Sequence, residues 1–210
     1  MPDSTIASTV AFGVPGVTIA PGDHLCAFYR GLAGRDEILI PYLREGLLAG
    51  DKCICVVDAT EPESVLATLA GLAVDVDIAA SVRDHTLDVR TSLATYLRDK
   101  RFSTDRMLDF WDECVGGALR QGFGFSRAVG EMTWALRDMP GVEQLVSYES
   151  QLNRFLPRYP QVILCLYDLD HFNGEMLMDV LKTHPKVLVG GMLLANPYYL
   201  EPDEFLATKP

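Results

Sequence analysis

The sequence lacks any long apolar run. The longest runs, such as residues 162–167, fall far short of the roughly 18 to 20 residues that a membrane-spanning helix requires. The N-terminus also lacks the cationic start and the long apolar core of a signal peptide. We therefore expect a cytoplasmic protein that has no membrane partner.

Positive charge is also scarce, because 18 Lys and Arg residues stand against 29 Asp and Glu residues, for a net charge of -11. Nucleic acids and anionic lipids are bound through clustered cations that neutralise phosphates. This balance argues against direct binding of nucleic acid, so we expect the partner to be a small molecule or another protein.

Disulfide chemistry has little support. Five cysteines, an odd number without a secretory context, fit reduced thiols better than a disulfide framework. Cys53 and Cys55 share a face in the middle of a predicted buried strand, and Cys114 and Cys165 stand alone in apolar settings. We predict that all four belong to the core.

One segment resembles a phosphate-binding loop but lacks the side chains that bind phosphate. Residues 24–37, HLCAFYRGLAGRDE, read as a strand, two glycines and the start of a helix, like a nucleotide-binding loop. A Walker A loop needs a lysine and a Ser/Thr hydroxyl, whereas this segment offers Arg35, Asp36 and Glu37. The chain also has no GxSxG, HExxH, GxGxxG or CxxC motif, so we expect a protein that is not an enzyme, with no catalytic residue and no required cofactor.

Short apolar runs alternate with segments of helical period, which predicts one α/β domain with a mainly parallel sheet and helices on both faces. The predicted strands are residues 25–29, 53–58, 86–89, 128–133, 162–168 and 187–194. The predicted helices are residues 37–48, 61–72, 105–121, 142–156 and 174–183. We expect residues 1–22 to form an N-terminal arm, residues 23–200 the domain, and residues 201–210 a C-terminal tail.

Several motifs in order resemble the MEDS family, the methanogen/methylotroph DcmR sensory domain. They are GDHLCAFYRG, EGLLAGDKCICVVD, VGEMTWAL, the YE..LN segment at 148–153, LCLYD and ANPYYLEPDEFL. The resemblance covers residues 20–206. It implies a three-layer αβα fold like that of the RecA and KaiC ATPases, without a working phosphate-binding loop.

The resemblance also implies a function. The family is thought to sense simple hydrocarbon derivatives in prokaryotic signalling, usually when fused to kinase, STAS or DNA-binding modules. Few residues follow Tyr199 here, so we expect the signal to pass to a separate kinase, STAS or anti-sigma protein, or transcription regulator. The alternative is a pseudo-ATPase that docks such a partner through a vestigial pocket, and assembly as a homo-oligomer stays open.

His24 and Cys26 lie two residues apart in a predicted strand, so an imidazole and a thiol share a face. One interpretation is a metal or haem sensor, because both groups ligate soft or borderline metals. The other is a hydrogen-bonded strand entrance beside a small buried thiol. Parallel sheets bind ligands beyond the carboxyl ends of their strands, and by that rule Tyr29 and Arg30 lie nearer a ligand than His24 does.

Polar residues near strand ends complete the candidate ligand site. Glu131 interrupts an apolar strand and needs a partner, for which we predict Arg30, either as a structural ion pair or as a ligand-orienting acceptor. Asp168 follows VILCLY like a Walker B aspartate. Trp134 offers an apolar wall for a ligand or fills the core.

One predicted helix carries the remaining candidates. Glu149 and Asn153 lie four residues apart, so they share a face of the helix, and Tyr148 adjoins them. They either give specificity to a pocket or lie on a solvated face.

Overall fold

The computed structural model describes residues 9–208, in which seven strands form one sheet with helices on both faces. The order across the sheet is β5-β4-β6-β7-β3-β8-β9, and all neighbours are parallel except β8 and β9. The strands of this sheet are β3 (His24–Tyr29), β4 (Lys52–Val57), β5 (Leu87–Thr91), β6 (Ser126–Glu131), β7 (Gln161–Asp168), β8 (Lys186–Val189) and β9 (Met192–Ala195). The predicted three-layer α/β architecture is confirmed.

The helices divide between the two faces of the sheet. They are α1 (Gly31–Ala49), α2 (Pro62–Leu72), α3 (Ile78–Arg83), α4 (Thr104–Arg120), α5 (Leu145–Phe155), α6 (Gly174–Thr183) and α7 (Pro202–Ala207). Apolar residues of α1, α2 and α3 form the core on one face, and those of α4, α5 and α6 form the core on the other. Central strands β4, β6 and β7 are buried along their whole length, as expected for parallel strands covered on both sides.

The predicted single strand over residues 187–194 is wrong, because the chain forms the antiparallel hairpin of β8 and β9 there. Gly190 and Gly191 lie at its tip with φ of 57° and 75°. Two consecutive residues with positive φ form the turn that joins tightly paired antiparallel strands. Because apolar residues flank the two glycines on both sides, the sequence pattern predicted one continuous strand.

Helix α1 begins six residues earlier than predicted, directly after β3. Gly31 takes a φ of 60° and turns the chain into the helix at once. The two glycines of the apparent nucleotide-binding loop are therefore in the first turns of a helix, and Arg35 occupies the next turn.

The predicted N-terminal arm lies partly outside the described residues, which begin at residue 9. Within the described part, the two-residue strands β1 (Val10–Ala11) and β2 (Thr18–Ile19) pair with each other. Phe12 between them is fully buried, and its ring centroid lies 4.9 Å from that of Tyr42 on α1. Of the predicted tail, residues 202–207 form α7, whose Phe205 is buried, and residues 209–210 lie outside the described part.

None of the helices within residues 9–208 combines the length and the apolarity that crossing a bilayer requires.

Candidate functional site

Nine of the ten candidate residues fall into two separate groups, and Trp134 lies outside both. Four lie at the carboxyl edge of the sheet: Tyr29, Arg30, Glu131 and Asp168. Five lie on β3 and α5, on the face that α4, α5 and α6 cover: His24, Cys26, Tyr148, Glu149 and Asn153. The sequence suggested one ligand site, and the structure divides it into an edge site and a buried cluster.

Glu131, at the end of β6, has a complete set of partners. Arg35 donates from Nη1 to Glu131 Oε1 at 2.6 Å, and both side chains are at most 2% exposed. The backbone amides of Asp58 and Ala59 donate to Glu131 Oε2 at 2.5 and 2.8 Å. Burial alone would lower the pKa of Arg35, but its bonds to Glu131 and Asp36 raise that pKa and keep the guanidinium charged.

The predicted pairing of Arg30 with Glu131 is wrong. Arg30 is exposed and pairs with Asp170. The physical reason is the early start of α1, which carries Arg35 one helical turn inward and over the end of β6. Arg30 was predicted as the partner because it directly follows β3. The turn of α1 instead directs the side chain of Arg35 at Glu131.

A cavity of about 510 Å³ opens at this same edge, beyond the ends of the strands. Its lining residues are Gly31, Leu32, Asp58, Ala59, Thr133, Leu136, Arg137, Asp168 and His171. Parallel α/β sheets place their ligands in this position. Of the candidates, Asp168 lines the cavity, and Glu131 lies directly behind it through its bond to Ala59.

The charged groups around the cavity are paired with one another. Asp58 accepts from Thr133 Oγ1 at 2.9 Å and from Arg137 Nη2 at 2.9 Å, so this arginine is already paired. Asp168 adds a second carboxylate and lies 3.2 Å from Nδ1 of His171. A phosphate group would meet two carboxylates and a cation that is already in use.

Tyr29 lies behind the same edge. The pKa of its hydroxyl is raised by burial and by the neighbouring carboxylates Glu131 and Asp168. Trp134 is fully buried between the rings of Tyr96 and Phe102, with ring centroids 4.7 and 4.6 Å away. The tryptophan is therefore part of the core and does not line the cavity.

The second group surrounds Glu149 of α5. His24, Glu149, Cys165 and His184 each place one ligand atom within 4.8 Å of the others, and all four side chains are buried. They come from β3, α5, β7 and the residue that follows α6. Four segments distant in sequence thus meet at one carboxylate.

The distances around Glu149 are short. Glu149 Oε2 lies 3.1 Å from His24 Nε2, 3.4 Å from His184 Nε2 and 3.5 Å from Cys165 Sγ. Its other oxygen, Oε1, accepts from the Tyr167 hydroxyl at 2.8 Å. Cys165 Sγ also lies 3.6 Å from His24 Nε2.

Burial controls the protonation of this cluster. Burial and the neighbouring His184 lower the pKa of His24 to about 4, although Glu149 and Asn153 act in the opposite direction. Burial alone would raise the pKa of Glu149, but His184 and His24 hold that pKa below its usual range.

Two predicted neighbours of His24 have other contacts. The Cys26 thiol is directed at the carbonyl oxygen of Lys186, 3.8 Å away, and the thiol that reaches His24 belongs to Cys165. Tyr148 accepts a hydrogen bond from Trp111 Nε1 at 2.7 Å within the aromatic core. Asn153 does reach the cluster, 3.1 Å from His24 Nδ1, so the shared face of the partly buried Asn153 and the buried Glu149 packs toward the sheet and is not a solvated face.

Three site residues were not predicted from the sequence: Arg35 at the edge site, and Cys165 and His184 in the buried cluster. Cys165 had a usable signal, since parallel pairing sets it beside Cys26 in the register of β3 and β7. His184 had none, because it lies at the end of a helix and meets the sheet only through the packing of α6.

The family model described as MEDS, MEthanogen/methylotroph, DcmR Sensory domain, matches residues 23–185. The chain belongs to the MEDS family. It is 34% identical over 184 residues to the transcriptional repressor DcmR of Methylorubrum extorquens. The match covers 87% of this chain and 65% of the repressor, so the chain spans just under two thirds of the length of that relative.

Solved structures support the fold alone. A KaiC-like protein from Pyrococcus horikoshii gives a TM-score of 0.62 at 14% identity, over 86% of this chain and 79% of that one. The flagellar accessory protein FlaH from Methanocaldococcus jannaschii gives a TM-score of 0.56 at 10% identity, over 89% and 84%. The RecA/KaiC-like architecture that the family resemblance implied is confirmed.

Proposed function

We propose that this MEDS domain binds a small, uncharged hydrocarbon derivative in the carboxyl-edge cavity and relays its presence to a regulatory protein in the cytoplasm. The observation that carries the proposal is the cavity of about 510 Å³ at the position where this fold places its ligands. Membership of a sensory family and similarity to a transcriptional repressor support a regulatory output.

The lining of the cavity favours an uncharged, largely apolar ligand. Leu32 and Leu136 each expose nearly half of their surface there. Arg35, the cation of the apparent nucleotide-binding loop, is buried against Glu131 and is not available to an anion. A haloalkane or short alcohol would cover the leucines, and the hydroxyl of Thr133 could meet its polar end.

The same features support a role without catalysis. Phosphoryl transfer needs cations around the transferred group to stabilise its charge. Here Arg137 is bound to Asp58, and Arg35 to Glu131. We therefore propose a receptor and not an ATPase, and ligand binding must favour one of two conformations to produce a signal.

Filling the cavity tests the proposal. We expect haloalkanes and short alcohols to raise the melting temperature of the wild-type protein in a saturable way, and magnesium-ATP to have no effect. Leu136→Trp should abolish the response by occupying the cavity. The matched control is Leu119→Trp at the end of α4, because the two leucines are 46% and 47% exposed and Leu119 lies outside the cavity lining.

A response to magnesium-ATP alone, or an equal loss of response in both tryptophan variants, would contradict this function. The alternative of a docking module makes a different prediction. It requires that capture of a kinase, STAS or anti-sigma partner be unchanged by ligand and by Leu136→Trp.

A further inference from the structure

The cluster around Glu149 brings two imidazole nitrogens and a thiol to one carboxylate oxygen. Asn153 Nδ2 donates to the carbonyl oxygens of Thr183, Glu149 and Ser150 at 2.8, 3.3 and 3.3 Å. Its Oδ1 therefore faces His24 Nδ1, so that nitrogen carries the proton. His24 Nε2 is then the nitrogen free to bind a metal, and it lies 3.1 Å from Glu149 Oε2.

His184 has the same orientation for a separate reason. Its Nδ1 lies 2.8 Å from the carbonyl oxygen of Val180, which can only accept, so this nitrogen also carries the proton. Its Nε2 is buried and makes no hydrogen bond within residues 9–208. It lies 3.4 Å from the same carboxylate oxygen.

The described residues leave part of this cluster without a hydrogen bond. Two imidazole nitrogens, a thiol and a carboxylate oxygen converge in a region closed to water, and His184 Nε2 makes no hydrogen bond within the described residues. Buried polar atoms are usually hydrogen-bonded, so this nitrogen calls for a partner. A divalent cation would bind all four groups.

The separations are close to those of a tetrahedral metal site. Bonds of about 2.0 Å to nitrogen or oxygen and 2.3 Å to sulfur place such ligands about 3.3 to 3.5 Å apart. Four of the six distances between ligand atoms are 3.1, 3.4, 3.5 and 3.6 Å, and all six are at most 4.8 Å. The charges also balance, since a divalent ion with one thiolate, one carboxylate and two neutral imidazoles leaves no net charge in the core.

We propose that His24, Glu149, Cys165 and His184 form a buried four-ligand zinc site that joins β3, β7, α5 and the end of α6. Nitrogen, sulfur and oxygen ligands in tetrahedral geometry suit zinc, and four protein ligands leave no open position for a substrate. Asn153 and the Val180 carbonyl fix the two imidazoles, as the neighbours of metal ligands commonly do. The site lies apart from the carboxyl-edge cavity and is independent of the proposed sensory ligand.

A haem group does not suit the same residues. The ring of His24 packs 4.1 Å from that of His184, and its Nε2 has Glu149 and Cys165 within 3.6 Å. A macrocycle bound to this nitrogen would have to displace both neighbours.

Metal content provides the test. The whole protein is unfolded in urea in the presence of a reductant and a chelator. It is then refolded with equimolar zinc or cobalt and desalted. We expect about one zinc per chain, and for cobalt a thiolate charge-transfer band with intense tetrahedral visible bands. Cys165→Ser should remove the thiolate band and weaken zinc binding at least about tenfold.

The matched control is Cys26→Ser, since Cys26 is equally buried and lies beside Cys165 in the register of the neighbouring strand. It should retain one zinc and the full cobalt spectrum. Equal losses in the two variants, or a wild-type protein that retains no zinc, would overturn the proposal. If Cys165→Ser does not fold, the wild-type cobalt spectrum decides, because absence of the thiolate band overturns the site.

Discussion

Two buried carboxylates on this domain have opposite surroundings. Glu131 receives a guanidinium and two backbone amides, so the protein itself supplies all the donors that its charge requires. Glu149 receives the Tyr167 hydroxyl on one oxygen, and two imidazole nitrogens and a thiol converge on the other. Glu131 is therefore surrounded by donors of the protein itself, whereas Glu149 is surrounded by side chains of the types that ligate metals.

The pair of Arg35 and Glu131 also bears on the proposed ligand. Arg35 is an internal structural partner of Glu131 and does not line the cavity. For this reason we propose a neutral ligand rather than a phosphate.

The largest effect should follow from breaking the buried pair of Arg35 and Glu131. We expect Arg35→Met to lower the free energy of unfolding by about 3 to 5 kcal/mol, because it leaves the Glu131 charge buried without its cation. Urea unfolding measures this. Arg44→Met on the same helix is the control, since the Arg44 and Asp75 pair is about 40% exposed and should contribute no more than about 1 kcal/mol. Equal losses for both variants would show that Glu131 does not depend on Arg35.

A smaller effect should follow at Glu149. Tyr167→Phe removes the hydroxyl that donates to Glu149 Oε1, and a buried hydrogen bond to a charged group contributes about 1.5 to 3 kcal/mol. Tyr159→Phe is the control, because its hydroxyl also donates to a carboxylate, that of Asp112, at a partly exposed position. Urea unfolding should rank the first variant well below the second in stability. The reverse order would contradict the assigned burial of the Glu149 charge.

The smallest effect should come from Arg30. Its pair with Asp170 is exposed on both sides, so Arg30→Ala should change the free energy of unfolding by less than about 1 kcal/mol, and added salt should reduce even that change. A loss as large as that of Arg35→Met would restore Arg30 as the partner of Glu131.

The sequence predicted the layers and most elements because buried parallel strands and amphipathic helices leave periodic patterns. Helix α6 has the predicted bounds, and β7 differs by one residue. The sites were harder to predict, since Arg35 depended on where α1 begins and His184 on how α6 packs against the sheet. Neither the start of a helix after glycine nor the packing of distant segments leaves a pattern in the local sequence.

Central to the proposed function is the carboxyl-edge cavity, which we propose binds an uncharged molecule and not a nucleotide. Amide chemical shifts of Gly31, Ala59 and Leu136 test it most directly during titration with a short haloalkane and, separately, with magnesium-ATP. We expect saturable shifts at these lining residues with the haloalkane and none with magnesium-ATP. Saturable shifts with magnesium-ATP and none with the haloalkane would contradict it.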